Sequence, residues 1–141
     1  MPIVNFLIYI AITLPLMLLG IFLFTKTTPY DEFRILFNGD EVNDQVKTAA
    51  STAVAFDLGG KVIGLALVMG SAIVHAVSLW DLVAWSLIAI VFFILIYWLF
   101  ELLTPKVSVR KEIPMGNIGV GIFSFCLSIA SGLLMAALIS Y

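Results

Sequence analysis

LVAWSLIAIVFFILIYWLF, residues 82–100, carries no charged side chain. As a helix rising 1.5 Å per residue, these positions cover about 28 Å, close to the ~30 Å hydrocarbon thickness of a bilayer. A helix on the surface of a soluble protein needs a polar face, and this stretch has none. The rest of the chain leaves little room to bury it in protein. Of 141 residues, 62% are hydrophobic and 11% charged, and the mean hydropathy is +1.17, whereas soluble domains are about 45–50% apolar and about 25% charged. A chain of this length leaves roughly a third of its unfolded surface exposed when folded, so the solvent for that surface is lipid.

Working outward, this span extends over Leu82–Leu103 and stops at Thr104-Pro105. Before it stands a short Ser78-Leu79-Trp80-Asp81 connection in which Ser78 or Asp81 can cap the helix. Thr48–Val77 reads as one preceding helix, longer than a crossing needs, so its inner end projects or tilts. The two form an antiparallel hairpin. A first span covers Phe6–Phe24, with Pro15 predicting a kink, and a fourth covers Ile118–Ile139. The first does not read as a signal peptide. No basic residue precedes it, its apolar run is too long, and Lys26-Thr27-Thr28-Pro29 follows where small residues would mark cleavage. The expected fold is therefore all-α transmembrane, one four-helix domain with polar loops at 26–47 and 104–115.

In the first loop, Asp31, Glu32, Asp40, Glu41 and Asp44 surround Arg34, and Asn38-Gly39-Asp40 signals a turn. Phe33, Leu36 and Phe37 predict a short amphipathic helix, either lying on the membrane surface or packed against the spans. Residues Lys106–Pro114 read as a basic loop. Lys26, Arg34 and Lys47 in one loop and Lys106, Arg110 and Lys111 in the other face a side with no Lys or Arg, so both loops are expected in the cytoplasm and both termini outside. Trp80, Trp85 and Tyr141 on one side, with Tyr97 and Trp98 on the other, suit aromatic belts.

A shift of 66 residues places Ile63, Leu67, Met69 and Ile73 on Ile129, Leu133, Met135 and Ile139, and Thr28-Pro29 after the first span matches Thr104-Pro105 after the third. These matches suggest two tandem hairpins, residues 1–78 and 79–141. Thr28-Pro29-Tyr30-Asp31-Glu32, the Ala-rich start of the second span, Pro114-Met115-Gly116-Asn117, and Ser131-Gly132-Leu133-Leu134-Met135-Ala136-Ala137 together resemble the bacterial family labelled domain of unknown function 350. The resemblance covers nearly the whole chain. It departs at Asp44–Ala50, where that family generally shows a Gly-Asn-Ala-Ala-Ala pattern. It implies a duplicated four-span inner-membrane protein and, by the family's label, no activity.

Asp57 and Lys61 are the only oppositely charged pair inside an apolar span, and their spacing of four puts them on one helix face. Intramembrane charges point to function, yet a pair this near the cytoplasmic boundary could also snorkel to it. His75, the single histidine, lies near the outer end of the second span. It suits an interfacial position or a proton-sensitive role. Asp81 reads as a cap and Glu101 as an inner-interface residue. Ser124, Ser128, Gly132, Ala136 and Ser140 recur every four residues in the fourth span; Gly60, Gly64, Ala66, Gly70, Ala72 and Ala76 supply small faces in the second. Such stripes allow close helix packing, within the chain or between copies. Asn117 is a cap or a polar contact with the start of the second span.

The lone Cys126 allows no internal disulfide, and no metal site, catalytic set or cofactor motif can be assembled. A net charge of −2 and scattered basic residues argue against nucleic acid. These features point to a non-enzymatic protein of the bacterial inner membrane. Its expected partners are lipid, further copies of itself, and a cytoplasmic protein held by loops 26–47 and 104–115. It would act as a small permeation path or a membrane scaffold. The alternative is a small four-span secondary transporter, though such transporters carry a charge in the first span and this one has none.

Overall fold

The computed structural model describes residues 1–37 and 44–140. The described helices are α1 (Pro2–Thr27), α2 (Glu32–Phe37), α3 (Gln45–His75), α4 (Leu79–Leu103), α5 (Val109–Glu112) and α6 (Ile118–Ile139). Of these, α1, α3, α4 and α6 are long and apolar enough to cross a membrane. The fold class expected from sequence is therefore correct. The Asn38-Gly39-Asp40 turn and Tyr141 lie outside the described residues.

Boundaries follow from local chemistry. Pro2 begins α1, where a missing N–H costs nothing, and Pro15 sits inside an unbroken helical segment. α1 ends because Pro29 forces Thr28 into extended backbone, at φ −75° and ψ 133°. The Thr28 hydroxyl and N–H both donate to Phe24 O, at 2.7 and 3.0 Å. Thr104 ends α4 in the same way on Phe100 O, at 2.6 and 3.0 Å. Asp44 caps α3 by accepting from the N–H groups of Val46 and Lys47, and Asn117 caps α6 by accepting from Val120. α4 starts at Leu79, three residues earlier than expected, because Ser78 accepts from the Asp81 N–H while Asp81 accepts from the Val77 N–H. Each half thus contains a span closed by Thr-Pro, a short helix, and a polar-capped span.

α3 and α6 run parallel in close contact. A Cβ on Gly132 would lie 2.6 Å from Gly64 Cα, one on Gly121 2.6 Å from Ala53 O, and one on Gly60 2.6 Å from Phe125 Cα. The small residues let the two backbones touch. Hydrogen bonds across this seam join Ser124 to Asp57, 67 residues apart, and Ser71 to Ala136 O at 2.7 Å, 65 apart. Positions related by the 66-residue shift therefore lie at nearly the same depth.

Both loops pack at one end of the bundle, where Val109 and Ile113 bury against Ala53 and Val54 beside Ile35 and Leu36. Of the two placements open for α2, the packed one holds: its Glu32 is buried, and Ser51 donates to Leu36 O at 2.8 Å. The reading of 106–114 as loop needs correction, since α5 forms there to bury Val109 on α3. Gly116 turns the chain into α6 with φ +89°, against Ala49 and Ala50, where a side chain would be strained. Toward the other end, Phe24, Leu65, Val68, Met69, Ile90, Phe93, Met135 and Ile139 form an apolar core.

Candidate functional site

Asp57 and Lys61 face inward from α3, the direction of Gly60 and Gly64, and are 0% and 4% exposed. The snorkelling alternative therefore fails: the seam with α6 and the loop packing cover the pair on the side where it would have reached water. Lys61 Nζ donates to Asp57 Oδ2 at 2.8 Å and to Glu32 Oε1 at 3.3 Å. It also lies 4.6 Å from the centre of the Tyr97 ring, a cation–π distance. Tyr30 Oη donates to Asp57 Oδ2 at 2.8 Å, Ser124 Oγ donates to Asp57 Oδ1, and Thr28 Oγ1 donates to Glu32 Oε1 at 3.0 Å.

Five segments converge here: the Thr28–Tyr30 turn, α2, α3, α4 and α6. Asp57 has three donors for its two oxygens and is fully satisfied as an anion. Glu32 is not, because Oε2 is buried with no hydrogen-bond partner among the described residues. The cluster holds two acids against one base. Burial pushes the Glu32 carboxyl above the usual carboxylate range, with Lys61 opposing in part and Asp57 adding to the rise. Burial and then the Asp57 charge push the Tyr30 phenol far upward, so it stays a neutral donor. A cavity of about 10 Å³, room for about one water, lies against Lys61, Tyr97, Ser124 and Ser128. The Tyr97 hydroxyl is also buried without a described partner.

The other sequence candidates separate from this cluster. His75 ends α3 at the far end of the bundle, exposed, with Nδ1 2.9 Å from Ser71 O. Gly60, Gly64, Ser128, Gly132 and the half-buried Ala136 belong to the α3–α6 seam, while Ser124 joins seam and cluster. Ala66 and Gly70 are not part of that seam. They lie on the exposed side of α3, because 100° per residue turns them away from Gly60 and Gly64. Asn117 Nδ2 donates to Glu112 at 2.8 Å, not to α3. Glu101 accepts from Ser108 at 2.5 Å and pairs with Arg110 at 3.4 Å. Among the described residues, no three His, Cys, Asp or Glu side chains gather to hold a metal.

Sequence reasoning missed Glu32, Tyr30 and Tyr97. The first looked like loop charge and the last like a belt aromatic. The available signal was the Thr28–Glu32 segment, which carried the family resemblance and supplies three of the cluster's side chains.

The family model described as Domain of Unknown Function (DUF350) matches residues 1–139, the whole bundle and all five converging segments. The chain belongs to this family. It is 35% identical over 85 residues to the UPF0719 transmembrane protein YshE of Bacillus subtilis (strain 168), a match covering 60% of this chain and 63% of that relative. It is 29% identical over 133 residues to the UPF0719 inner membrane protein YjfL of Escherichia coli (strain K12), covering 94% of this chain and 91% of the relative. No solved structure matches. As a DUF350 member with four candidate spans, the chain is a multi-pass inner-membrane protein.

Proposed function

We propose that this DUF350 protein is a non-enzymatic, self-associating membrane protein that passes protons or small monovalent cations, with Glu32, Lys61 and Asp57 as its gate. One observation carries this reading: the buried cluster has one more acid than base, and the extra carboxyl oxygen has no partner among the described residues. A purely structural ion pair would be complete with Asp57 and Lys61. A buried net charge is costly, so Glu32 favours holding a proton or a cation. Asp57 is held in place by Tyr30, Ser124 and Lys61. Glu32, with Oε1 accepting from Thr28 and Lys61, is free to carry the proton on Oε2.

α2 separates the buried site from the loop end of the bundle, and the small cavity beside Lys61 extends the site between α3, α4 and α6. Beyond, Leu65, Phe93 and Met135 belong to the apolar core, a plug toward the other face. That plug favours a second reading, a small proton- or ion-coupled secondary transporter that must rearrange to release its ion. Copies would meet elsewhere than on the buried seam; the small residues Ala55, Ala66 and Gly70 remain exposed on α3 for this. The shared order of elements in both halves supports descent from a duplicated hairpin.

The test is ion flux into vesicles containing the purified protein and a trapped pH dye, driven by a potassium diffusion potential. Flux above protein-free vesicles, lost in Glu32→Gln, is expected. No flux in the native chain, or the same flux in Glu32→Gln, would overturn the proposal and leave the cluster as a clamp holding α2 to a membrane scaffold.

A further inference from the structure

The outward side of α4 carries a trough unconnected with the charge cluster. At its loop end, a hollow of about 420 Å³ is bounded by Glu101, Thr104, Ser108, Arg110 and Lys111, with Trp98 and Leu102 as apolar members. Trp98 and Leu102 also line a second hollow of about 500 Å³ that runs on over Phe92 and Leu95. Those two line a third, of about 370 Å³, reaching Leu87 and Ile88. The shared residues make one path along α4, about 22 Å long at 1.5 Å per residue. That length can hold an acyl chain filling one leaflet of a ~30 Å hydrocarbon core.

The polar end is cationic. Glu101 is engaged by the Ser108 hydroxyl at 2.5 Å, by Arg110 Nε at 3.4 Å and by the Arg110 N–H at 3.5 Å. Arg110 uses only Nε in its described ion pair, so both Nη groups remain donors. Lys111 is exposed and has no ion pair among the described residues. Arg110 and Lys111 against Glu101 leave one positive charge beside an indole and an apolar trough. A second copy of the chain could bring an apolar helix to the trough, but it would leave that charge unanswered.

We propose that the α4 trough is a binding site for one anionic phospholipid of the phosphatidylglycerol class. Its phosphate sits on Arg110 Nη and Lys111 Nζ, Trp98 lies at the glycerol level, and one acyl chain runs along α4 from Leu102 to Leu87. Headgroup charge decides the choice. A phosphatidylglycerol phosphate adds −1 to a +1 site, whereas a phosphatidylcholine headgroup brings its own cation against Arg110 and Lys111. Basic pockets at this depth of a membrane protein suit lipid phosphates for the same reason.

Retention of lipid by the full chain is measured by native mass spectrometry after equilibration in detergent micelles with equal phosphatidylglycerol and phosphatidylcholine. A preference of about fivefold for phosphatidylglycerol is expected, the worth of one unscreened basic residue beside an anionic headgroup. The double variant Arg110→Gln/Lys111→Gln should lose the preference, and Lys26→Gln, at the same end of the bundle but off the trough, should keep it. For location, dibromo-phosphatidylglycerol should quench the fluorescence of the native chain more than that of Trp98→Phe. Equal retention of both lipids overturns the proposal, as does a preference that survives the double variant. Quenching unchanged in Trp98→Phe overturns it too, placing the lipid elsewhere or a second copy in the trough.

Discussion

Glu32 Oε1 accepts from both Thr28 and Lys61, while Oε2 has no described partner, so the side chain is arranged to keep its proton where an exposed glutamate would lose it. Because the folded-state pKa of Glu32 is raised, the folded protein binds this proton more tightly than the unfolded chain does. Its contribution to stability is complete below the ordinary carboxylate pKa and is lost as pH rises through the raised value. Thermal unfolding in one detergent should therefore show the native chain losing stability as pH rises above the ordinary carboxylate range, and Glu32→Gln should show a flatter profile over the same range. Parallel profiles would mean that Glu32 is ionised throughout. Asp57 and Lys61 could be picked out in the sequence because four residues on one helix fix a shared face. Whether they were buried could not be read, since that depends on segments far off in the chain. Glu32 lies 29 residues from Lys61, Tyr30 27 from Asp57, and Ser124 67 from Asp57, and no local periodicity links such distances.

The α3–α6 seam makes the corresponding case among the elements. Gly132 meets Gly64 backbone to backbone, so Gly132→Leu should cost about 1–3 kcal/mol through overpacking. Gly70 has nothing within 4 Å of a built Cβ and lies on the exposed side of α3. Gly70→Leu should therefore change the unfolding stability of a single copy by no more than about 0.5 kcal/mol and act on self-association instead. If unfolding measurements gave both substitutions the same cost, close approach would not be what holds these helices together. The four-residue recurrence from Ser124 to Ala136 made the α6 side of this seam legible, and its composition left open only whether the partner was α3 or another copy. On α3 the mixture of small residues at several spacings hid which ones faced inward. The spans themselves were legible from apolar length, and their ends from Thr-Pro and from Ser, Asp and Asn caps. α5 was not, because VRKE has neither length nor periodicity; it exists because Val109 and Ile113 find a surface on α3 and the 30s segment.

For the whole molecule, the fold gathers both loops, the end of α1, the start of α3, the end of α4 and the start of α6 at one pole. That pole bears Lys26, Arg34, Lys47, Lys106, Arg110 and Lys111, and the opposite pole, with Met1 and the Ala76–Ser78 turn, bears no Lys or Arg. Insertion favours retaining basic loops in the cytoplasm. The charge cluster lies toward the basic pole, so in that expected orientation Glu32 would sit on the cytoplasmic side of the apolar plug. Orientation therefore decides on which side the proposed gate takes up its ion. In a Cys126→Ala background, Val77→Cys occupies the exposed turn between α3 and α4, and Val107→Cys occupies the exposed start of the α4–α5 loop without removing a basic residue. An impermeant thiol reagent applied to intact cells should label Val77→Cys at once and Val107→Cys only after the membrane is permeabilised. The reverse pattern would turn the molecule over and put Glu32 on the outer side. Labelling of both positions in intact cells would mean a mixed orientation, and flux through the gate would then run in both directions across each vesicle or cell.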